Sequence, residues 1–168
     1  TLTDPGAITL GTVSSTNVVC FGESTGTVIM TAASGGTGTL TYGIASNTTG
    51  TAPADGSYSF TNTGSGTTFT GISANTAGQS YFVAVQDDNG CITKSNGAST
   101  TVTGPGADLA VGGFTRDNPS SIGGVNGSIQ LSGGGVTGGT SGYTYSWVKA
   151  NGDVVGTSAN LTTGTATS

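Results

Sequence analysis

Apolar and polar positions alternate in short stretches along the chain, and glycine-rich turns separate these stretches. Alternation with a period of two indicates β-strands that bury one face. The pattern predicts strands at residues 8–14, 27–32, 39–44, 57–61, 67–72, 80–87 and 91–102. Turn signals separate them at Gly35-Gly36, Asp55-Gly56 and Asn89-Gly90, the last in the manner of a hairpin turn. Seven short strands in about 100 residues predict an all-β fold of the immunoglobulin-like sandwich type.

The same plan occurs twice in the chain. TNVVCFGESTGTVIM leads to SGGTGTLTYGI in residues 16–44, and DNPSSIGGVNGSIQL leads to TGGTSGYTYSW in residues 117–147. Gly26 matches Gly127 at an offset of 101 residues, and Tyr42 matches Tyr145 at an offset of 103. So small a drift indicates one supersecondary unit used in tandem, with short loop insertions.

We therefore predict two domains, residues 1–103 and 104–168, joined by the short Thr103-Gly104-Pro105-Gly106 linker. The second sandwich is incomplete, because nothing in it corresponds to residues 80–102. A sandwich without its last hairpin exposes strand edges and half of its core. We expect that the missing strands lie beyond Ser168; the alternative is that a neighbouring subunit donates them.

Composition supports thin sandwiches over large cores or disorder. Hydrophobic residues make up 33% of the chain and 32 residues are glycine, which suits turns and short strands. Charged residues are only 7% and aromatic side chains lie in the alternating runs, whereas disordered chains usually carry high charge and few aromatics. The net charge of −5 with three cations excludes nucleic acid as a partner, and no apolar stretch is long enough to cross a membrane.

At these positions the sequence resembles the SprB repeat of very large cell-surface adhesins of gliding and other Bacteroidetes bacteria. The resemblance covers nearly the whole chain and lies in short motifs: Cys20, Gly22, Gly26, the apolar strand 28–30, Gly35-Gly36-Thr37, Tyr42 and Asp88-Asn89-Gly90-Cys91. The second unit repeats the middle of this pattern and the Tyr143–Trp147 run, but has Ser121 in the place of the first cysteine.

The resemblance implies an extracellular location at the bacterial cell surface, type IX secretion and a role in adhesion or gliding. The chain opens at Thr1 without an export signal, so we expect that such a signal was removed or lies further upstream. The family template also implies a disulfide between Cys20 and Cys91, the only cysteines, and therefore an oxidising compartment. The alternative is two buried free thiols.

The residue inventory argues against an enzyme. The chain has no histidine, which removes Ser-His-Asp and Cys-His nucleophile systems and most zinc sites. Paired-carboxylate chemistry would need two acidic residues to converge on a cleft. The acidic residues are Asp4, Glu23, Asp55, Asp87, Asp88, Asp108, Asp117 and Asp153. Most lie in turn contexts, where aspartate bonds backbone groups.

Calcium is the one cofactor that the sequence suggests. Asp87, Asp88 and Asn89 place hard oxygen ligands in one tight loop, and Glu23 and Asp117 would add ligands if the fold brought the loops together. The stretch lacks the spaced acidic pattern of an EF-hand loop. The competing interpretation is a plain hairpin turn.

The aromatic side chains have two interpretations. Tyr143, Tyr145 and Trp147 alternate with Thr144 and Ser146, which predicts one buried face of a strand. The alternative is a sugar-stacking platform as in carbohydrate-binding modules. The candidates for either role are Tyr42, Tyr81, Phe82, Tyr143, Tyr145 and Trp147.

Four hypotheses for function follow. The leading one is a structural or adhesive repeat of a large secreted surface protein, whose partners are further repeats of the same protein and surface glycans or polysaccharide. The others are a carbohydrate-binding module appended to a secreted enzyme, a strand-donating filament subunit, and an ice- or crystal-binding threonine array. The threonine array ranks lowest, because the threonines follow no fixed short period.

Overall fold

The computed structural model describes residues 5–64, 66–74, 79–97, 99–133 and 135–162. Contacts divide the chain into two compact units, residues 1–106 and 107–168, a boundary three residues beyond the predicted one. The described residues form β-strands, one 3₁₀ turn at Asp55–Ser57 and no α-helix. The predicted all-β class is confirmed. No helix among the described residues is long and apolar enough to cross a membrane.

Unit 1 contains eight strands. They are β1 (Val13–Thr16), β2 (Gly26–Thr31), β3 (Thr41–Asn47), β4 (Ser59–Thr63), β5 (Gly66–Ile72), β6 (Gln79–Gln86), β7 (Ile92–Lys94) and β8 (Thr100–Val102). Five of the seven predicted strands, those that correspond to β2 through β6, begin and end within three residues of the observed bounds.

The first predicted strand, residues 8–14, is wrong in position. Residues 8–10 form only an isolated bridge between Thr9 and Ser34, and the first strand begins at Val13. The chain passes so close to β2 at Gly11 that a Cβ there would lie 2.3 Å from the Thr31 carbonyl oxygen. Only glycine fits this crossing, which separates the two segments.

The last predicted strand, residues 91–102, is two strands. Both β7 and β8 pair with β6, and a bend separates them. Within the bend the Ser99 hydroxyl accepts a hydrogen bond from the Val83 amide at 3.1 Å, while the Ser95 amide donates to the Val83 carbonyl at 3.1 Å. Because the Ser99 side chain takes the place of a ladder partner, the segment bends away without leaving the Val83 amide unsatisfied.

The strands of unit 1 form two antiparallel sheets around one core. One sheet has the order β1-β2-β5, and the other has the order β4-β3-β6-β7, with β8 also paired to β6. Apolar side chains of both sheets meet between them. The fully buried members are Val28 and Met30 of β2, Tyr42 of β3, Val83 and Val85 of β6, and Val102 of β8.

Strand β6 is buried on both faces. Tyr81, Val83 and Val85 face the core between the sheets, whereas Phe82 and Ala84 belong to a second cluster on the outer face of their sheet, with Tyr58. The second cluster explains why residues 81–85 are all buried. An alternating strand with only one covered face would leave Phe82 in water.

The hydroxyl of Tyr81, near the start of β6, donates a hydrogen bond back to the Ser73 carbonyl at the end of the preceding strand. This arrangement resembles the tyrosine corner described for immunoglobulin-like sandwiches. It ties Ser73, directly after β5, to the core.

Unit 2 contains seven short strands. They are β9 (Ala110–Val111), β10 (Phe114–Asp117), β11 (Ser128–Leu131), β12 (Val136–Thr137), β13 (Trp147–Val148), β14 (Val154–Gly156) and β15 (Asn160–Thr162). They pair as β10-β11-β15, β12-β9 and β13-β14. The register repeats that of unit 1, since Phe114 pairs with Leu131 as Val13 pairs with Met30.

The two units differ in how much they bury. Among the described residues, fourteen hydrophobic residues of unit 1 are buried, whereas Leu161 is the only one in unit 2. The predicted aromatic strand at 143–147 is also shorter than expected, because only Trp147 and Val148 are paired. Its counterpart β3 pairs with β6 from end to end, and the described part of unit 2 has no strand that corresponds to β6.

Candidate functional site

The turn that follows β6 is built on the carboxylate of Asp87, which is 6% exposed. Its Oδ1 accepts hydrogen bonds from the amides of Asn89 and Cys91 at 3.0 and 2.9 Å. Its Oδ2 accepts one from the Thr37 amide at 3.0 Å. These hydrogen bonds, above all that from Cys91, hold the pKa of Asp87 below its usual value. One carboxylate thus organises its own turn and fastens a second loop.

Asp88 fastens the same loop at a second point. Its Oδ2 accepts a hydrogen bond from the Thr39 amide at 3.0 Å, and its amide donates to the Thr37 carbonyl at 3.1 Å. We call Asp87 and Asp88 together the acidic clasp. The clasp holds residues 37–39, which directly follow the Gly35-Gly36 pair.

The glycine pair lets this loop lie against the start of the chain. Gly35 has φ +81°, and a Cβ there would lie 2.0 Å from the Ala7 carbonyl oxygen. The Gly36 amide donates to the Gly6 carbonyl at 2.7 Å. Gly138 of unit 2 repeats the arrangement, with φ +70° and a Cβ position 1.8 Å from the Asp108 carbonyl oxygen. The Gly-Gly-Thr and Asp-Asn-Gly motifs therefore have structural roles.

The predicted calcium ligands are the residues of this clasp. Both carboxylate oxygens of Asp87 and Oδ2 of Asp88 accept hydrogen bonds from amides, and Asn89 is exposed. Glu23 lies in the loop between β1 and β2, and Asp117 lies in unit 2. Across the described residues no three His, Cys, Asp or Glu side chains group as metal ligands. The geometry therefore supports the hairpin-turn interpretation. Of the acidic residues named from the sequence, Asp4 lies outside the described residues.

The structure contradicts the predicted disulfide. Cys20 and Cys91 are free, and both are exposed, so they are neither bridged nor buried. Cys20 and Gly104 line one small cavity at the end of unit 1 where β6 begins, whereas Cys91 follows the end of β6. The seven residue steps of β6 span about 23 Å at about 3.3 Å each, far beyond the roughly 7 Å between Cα atoms that a disulfide tolerates.

The aromatic residues of unit 1 are core residues. Tyr42 and Phe82 are fully buried and Tyr81 is 6% exposed. The Tyr42 hydroxyl accepts a hydrogen bond from the Ala33 amide at 3.1 Å. The core interpretation is confirmed for these three, which cannot stack on a sugar.

The predicted aromatic run of unit 2, with Tyr143, Tyr145 and Trp147, lines an open groove of about 490 Å³. Its lining is mostly apolar and consists of Leu109, Val111, Leu131, Val136, residues 142–146 and Trp147. The Trp147 indole N–H donates to the Ser158 carbonyl at 2.8 Å, and the Tyr143 hydroxyl donates to the Gly138 carbonyl at 2.5 Å. These polar atoms are thus engaged within unit 2, and the groove offers apolar faces to an occupant.

Sequence reasoning missed one polar cluster, at the edge of the second sheet of unit 1. Lys94 Nζ lies 2.6 Å from Asp55 Oδ1 and 3.1 Å from the Pro53 carbonyl oxygen. The adjacent Tyr58 hydroxyl is buried and has no hydrogen-bond partner among the residues that the structure describes. Burial raises the pKa of Tyr58. The sequence offered one signal for this cluster. The chain has only three cations, so each of them is a candidate for a specific ion pair, as Lys94 forms with Asp55 in the loop before β4.

Comparison with known proteins returned no matching family model, curated protein or solved structure.

Proposed function

We propose that the chain is a load-bearing tandem repeat of a secreted bacterial surface adhesin, in which each unit acts as a spacer. The observation that carries the proposal is the use of one template twice, with the motif residues engaged inside the fold. The acidic clasp and the Gly35-Gly36 pair bond to neighbouring backbone. A repeat whose most distinctive residues are structural fits a spacer better than a catalyst.

The bonds between the first and last strands of unit 1 support a mechanical role. The Val18 amide donates to the Thr103 carbonyl at 2.9 Å, and the Thr103 amide donates to Asn17 Oδ1 at 3.1 Å. The Ser15 and Thr100 hydroxyls lie 2.6 Å apart. Residue numbers rise together along both strands, so β1 and β8 run side by side in parallel. Tension applied through the two ends of unit 1 then loads these bonds together, in shear.

Single-molecule force spectroscopy on the whole chain tests this role. Unit 1 should unfold in one step that releases about 35 nm, since about 100 residues extend to about 3.6 Å each. Asn17→Ala should lower the unfolding force, because it removes the acceptor for the Thr103 amide. Asn47→Ala is the matched control, since its side chain bonds only within the loop after β3. Equal forces for both variants would contradict the shear argument.

The surface location has a separate test. An antibody raised against this chain should label intact cells of the source organism without permeabilisation. On an immunoblot it should detect a species far larger than 16.1 kDa, because tandem arrays carry many units. Labelling that requires permeabilised cells would refute the surface assignment.

A second candidate, recognition of polysaccharide, has the groove of unit 2 in its favour. Tyr143, Tyr145 and Trp147 line it together, and aromatic faces stack on sugars. Oligosaccharides that shift the emission of Trp147, the only tryptophan, would favour this candidate.

A further inference from the structure

The chain contains four Asn-Gly steps, Asn89-Gly90, Asn96-Gly97, Asn126-Gly127 and Asn151-Gly152. Asparagine is a thermolabile residue, because the amide nitrogen of the next residue can attack its side-chain carbonyl carbon. Glycine at the next position leaves the path of attack open, since it has no Cβ. The local chemistry is therefore the same at all four steps, and the fold determines which of them reacts fastest.

In unit 2 both asparagine side chains of these steps are held by hydrogen bonds. Asn126 Oδ1 accepts from the Ser120 amide at 3.1 Å, and its Nδ2 donates to Ser120 Oγ at 3.0 Å. Asn151 Nδ2 donates to Asp153 Oδ2 at 2.6 Å, and its Oδ1 accepts from the Asp153 amide at 3.2 Å. Each side chain must break two hydrogen bonds before its carbonyl carbon can meet the next amide nitrogen.

At two steps the attacking amide is itself engaged. The Gly90 amide, which would attack Asn89, donates to the Asp87 carbonyl at 2.9 Å. The Gly152 amide donates to the Lys149 carbonyl at 2.9 Å. A nitrogen in such a hydrogen bond must leave its acceptor before it can lose its proton and attack, so both steps are protected.

The Asn96-Gly97 step lies in the bend between β7 and β8 and has none of this protection. The amides of Ser95 and Ser99, on either side of it, donate to carbonyls of β6 at 3.1 and 2.9 Å. Asn96 between these two anchors is exposed. Within the described part of the chain, neither its side chain nor the Gly97 amide makes a hydrogen bond. Both reacting groups are therefore available in the folded state.

We propose that Asn96 is a site of spontaneous modification, at which the folded chain converts asparagine into aspartate and isoaspartate. The Gly97 nitrogen gives its proton to hydroxide and forms a bond to Asn96 Cγ, and the side-chain nitrogen takes a proton from water and leaves as ammonia. Water then opens the cyclic imide at either of its carbonyl carbons. One neutral amide becomes one carboxylate, so the net charge of −5 becomes more negative by one. The inference does not depend on the proposed function.

The fold should survive the change, because the groups that hold the bend lie outside the reacting pair. The Ser99 hydroxyl accepts a hydrogen bond from the Val83 amide at 3.1 Å and donates to Ser95 Oγ at 2.7 Å. Together with the amides of the two serines, these bonds fix both ends of the bend. The extra backbone carbon of isoaspartate falls between the two ends, where no strand pairing is lost.

Peptide mapping of the aged chain tests the proposal. Trypsin cleaves after Lys94, Arg116 and Lys149, the only cations, so the four Asn-Gly steps fall in four different peptides, residues 1–94, 95–116, 117–149 and 150–168. The folded chain is aged at mildly alkaline pH in heavy-oxygen water and then digested in ordinary water, so that the label records modification before digestion. Peptide 95–116 should gain label at least about tenfold faster than each peptide of unit 2, because the side chains there must first break two hydrogen bonds. It should also gain label faster than peptide 1–94.

Ageing in concentrated urea is the matched control, because unfolding removes the protection and all four peptides should then gain label at similar rates. Asn96→Gln should abolish the rapid labelling, since the longer side chain does not close the same imide ring. Fastest labelling of another peptide from the folded chain, or equal labelling of all four, would overturn the proposal. So would a lowered melting temperature of the modified chain after its separation by anion exchange, because the modification would then not be compatible with the fold.

Discussion

Two buried tyrosines of unit 1 should respond in opposite ways to loss of the hydroxyl group. Tyr58 and Tyr81 are 7% and 6% exposed, so each buries its ring to the same degree. The Tyr81 hydroxyl donates to the Ser73 carbonyl, whereas the Tyr58 hydroxyl has no partner among the described residues. The pair isolates the effect of one hydrogen bond in two similar environments.

The expected magnitudes follow from the state of each hydroxyl. A buried polar group without a partner costs about 1–3 kcal/mol, because it gave up its hydrogen bonds to water on folding. Tyr58→Phe removes that cost and should raise the free energy of unfolding by about 1 kcal/mol or more. Tyr81→Phe removes a satisfied hydrogen bond and should lower the free energy by about 0.5–1.5 kcal/mol. The gap corresponds to about 10 °C in melting temperature at about 4–8 °C per kcal/mol.

Calorimetry of the full chain measures the gap, with Trp147 emission as a check that unit 2 is unchanged. Burial raises the pKa of Tyr58, so the folded state holds the proton at pH values where the unfolded chain, with a pKa of about 10, releases it. The contribution of the Tyr58 proton to the free energy of unfolding is therefore fully present below the unfolded pKa. This contribution is lost as the pH rises through the folded pKa. Tyr58→Phe should flatten this alkaline loss. A Tyr58→Phe variant as destabilised as Tyr81→Phe would refute the reasoning.

Three further predictions concern the acidic clasp, the glycine pair and the thiols. Asp87 has a lowered pKa, so its stabilisation is present above the unfolded pKa of about 3.9 and is lost as the pH falls through the folded pKa; Asp87→Asn should flatten that acid loss in denaturation curves measured from pH 2 to pH 7. In urea unfolding, Gly35→Ala should lower the free energy of unfolding by more than the roughly 1–2 kcal/mol that a left-handed alanine costs, because its Cβ would also clash with the Ala7 carbonyl oxygen. Gly50→Ala is the control, since Gly50 has φ +73° and nothing near its Cβ position, and it should lower the free energy by no more than that cost. Two thiols per chain should react with Ellman's reagent in the native state, and reductant should leave the melting temperature unchanged; no reactive thiol in a non-reduced sample would restore the disulfide.

The sequence was most informative where the alternation of side chains decides the structure. Strands β2 through β5 were predictable because a one-residue slip would turn their apolar face to water, and β6 was predictable as a continuous apolar run. The tandem plan was predictable because glycines that must accept another backbone, such as Gly35 and Gly138, cannot be replaced without a clash. Each of these constraints restricts the residue type at a particular position, so it can be recognised in the sequence.

The remaining features depend on contacts that local pattern does not encode. The disulfide that the family template implied is wrong because Cys20 and Cys91 lie at opposite ends of β6, which short motifs along the chain do not reveal. The sequence of the acidic turn suggests a cation site because the donors of its hydrogen bonds, the amides of Thr37 and Thr39, lie about 50 residues away. Two adjacent aspartates in a turn look the same in the sequence whether they bind a metal ion or the amides of another loop.

The contrast between the units separates what the shared template specifies from what the β6 strand adds. Unit 2 keeps the glycine crossing and the β10–β11 register, so the template suffices for strand pairing. It does not suffice for a core, since Leu161 alone is buried among the hydrophobic residues described there. In unit 1 both the core and the outer cluster include residues of β6. Strand β6 is thus the element that closes the sandwich of unit 1, because among the described strands it alone contributes buried residues to the clusters on both faces of its sheet.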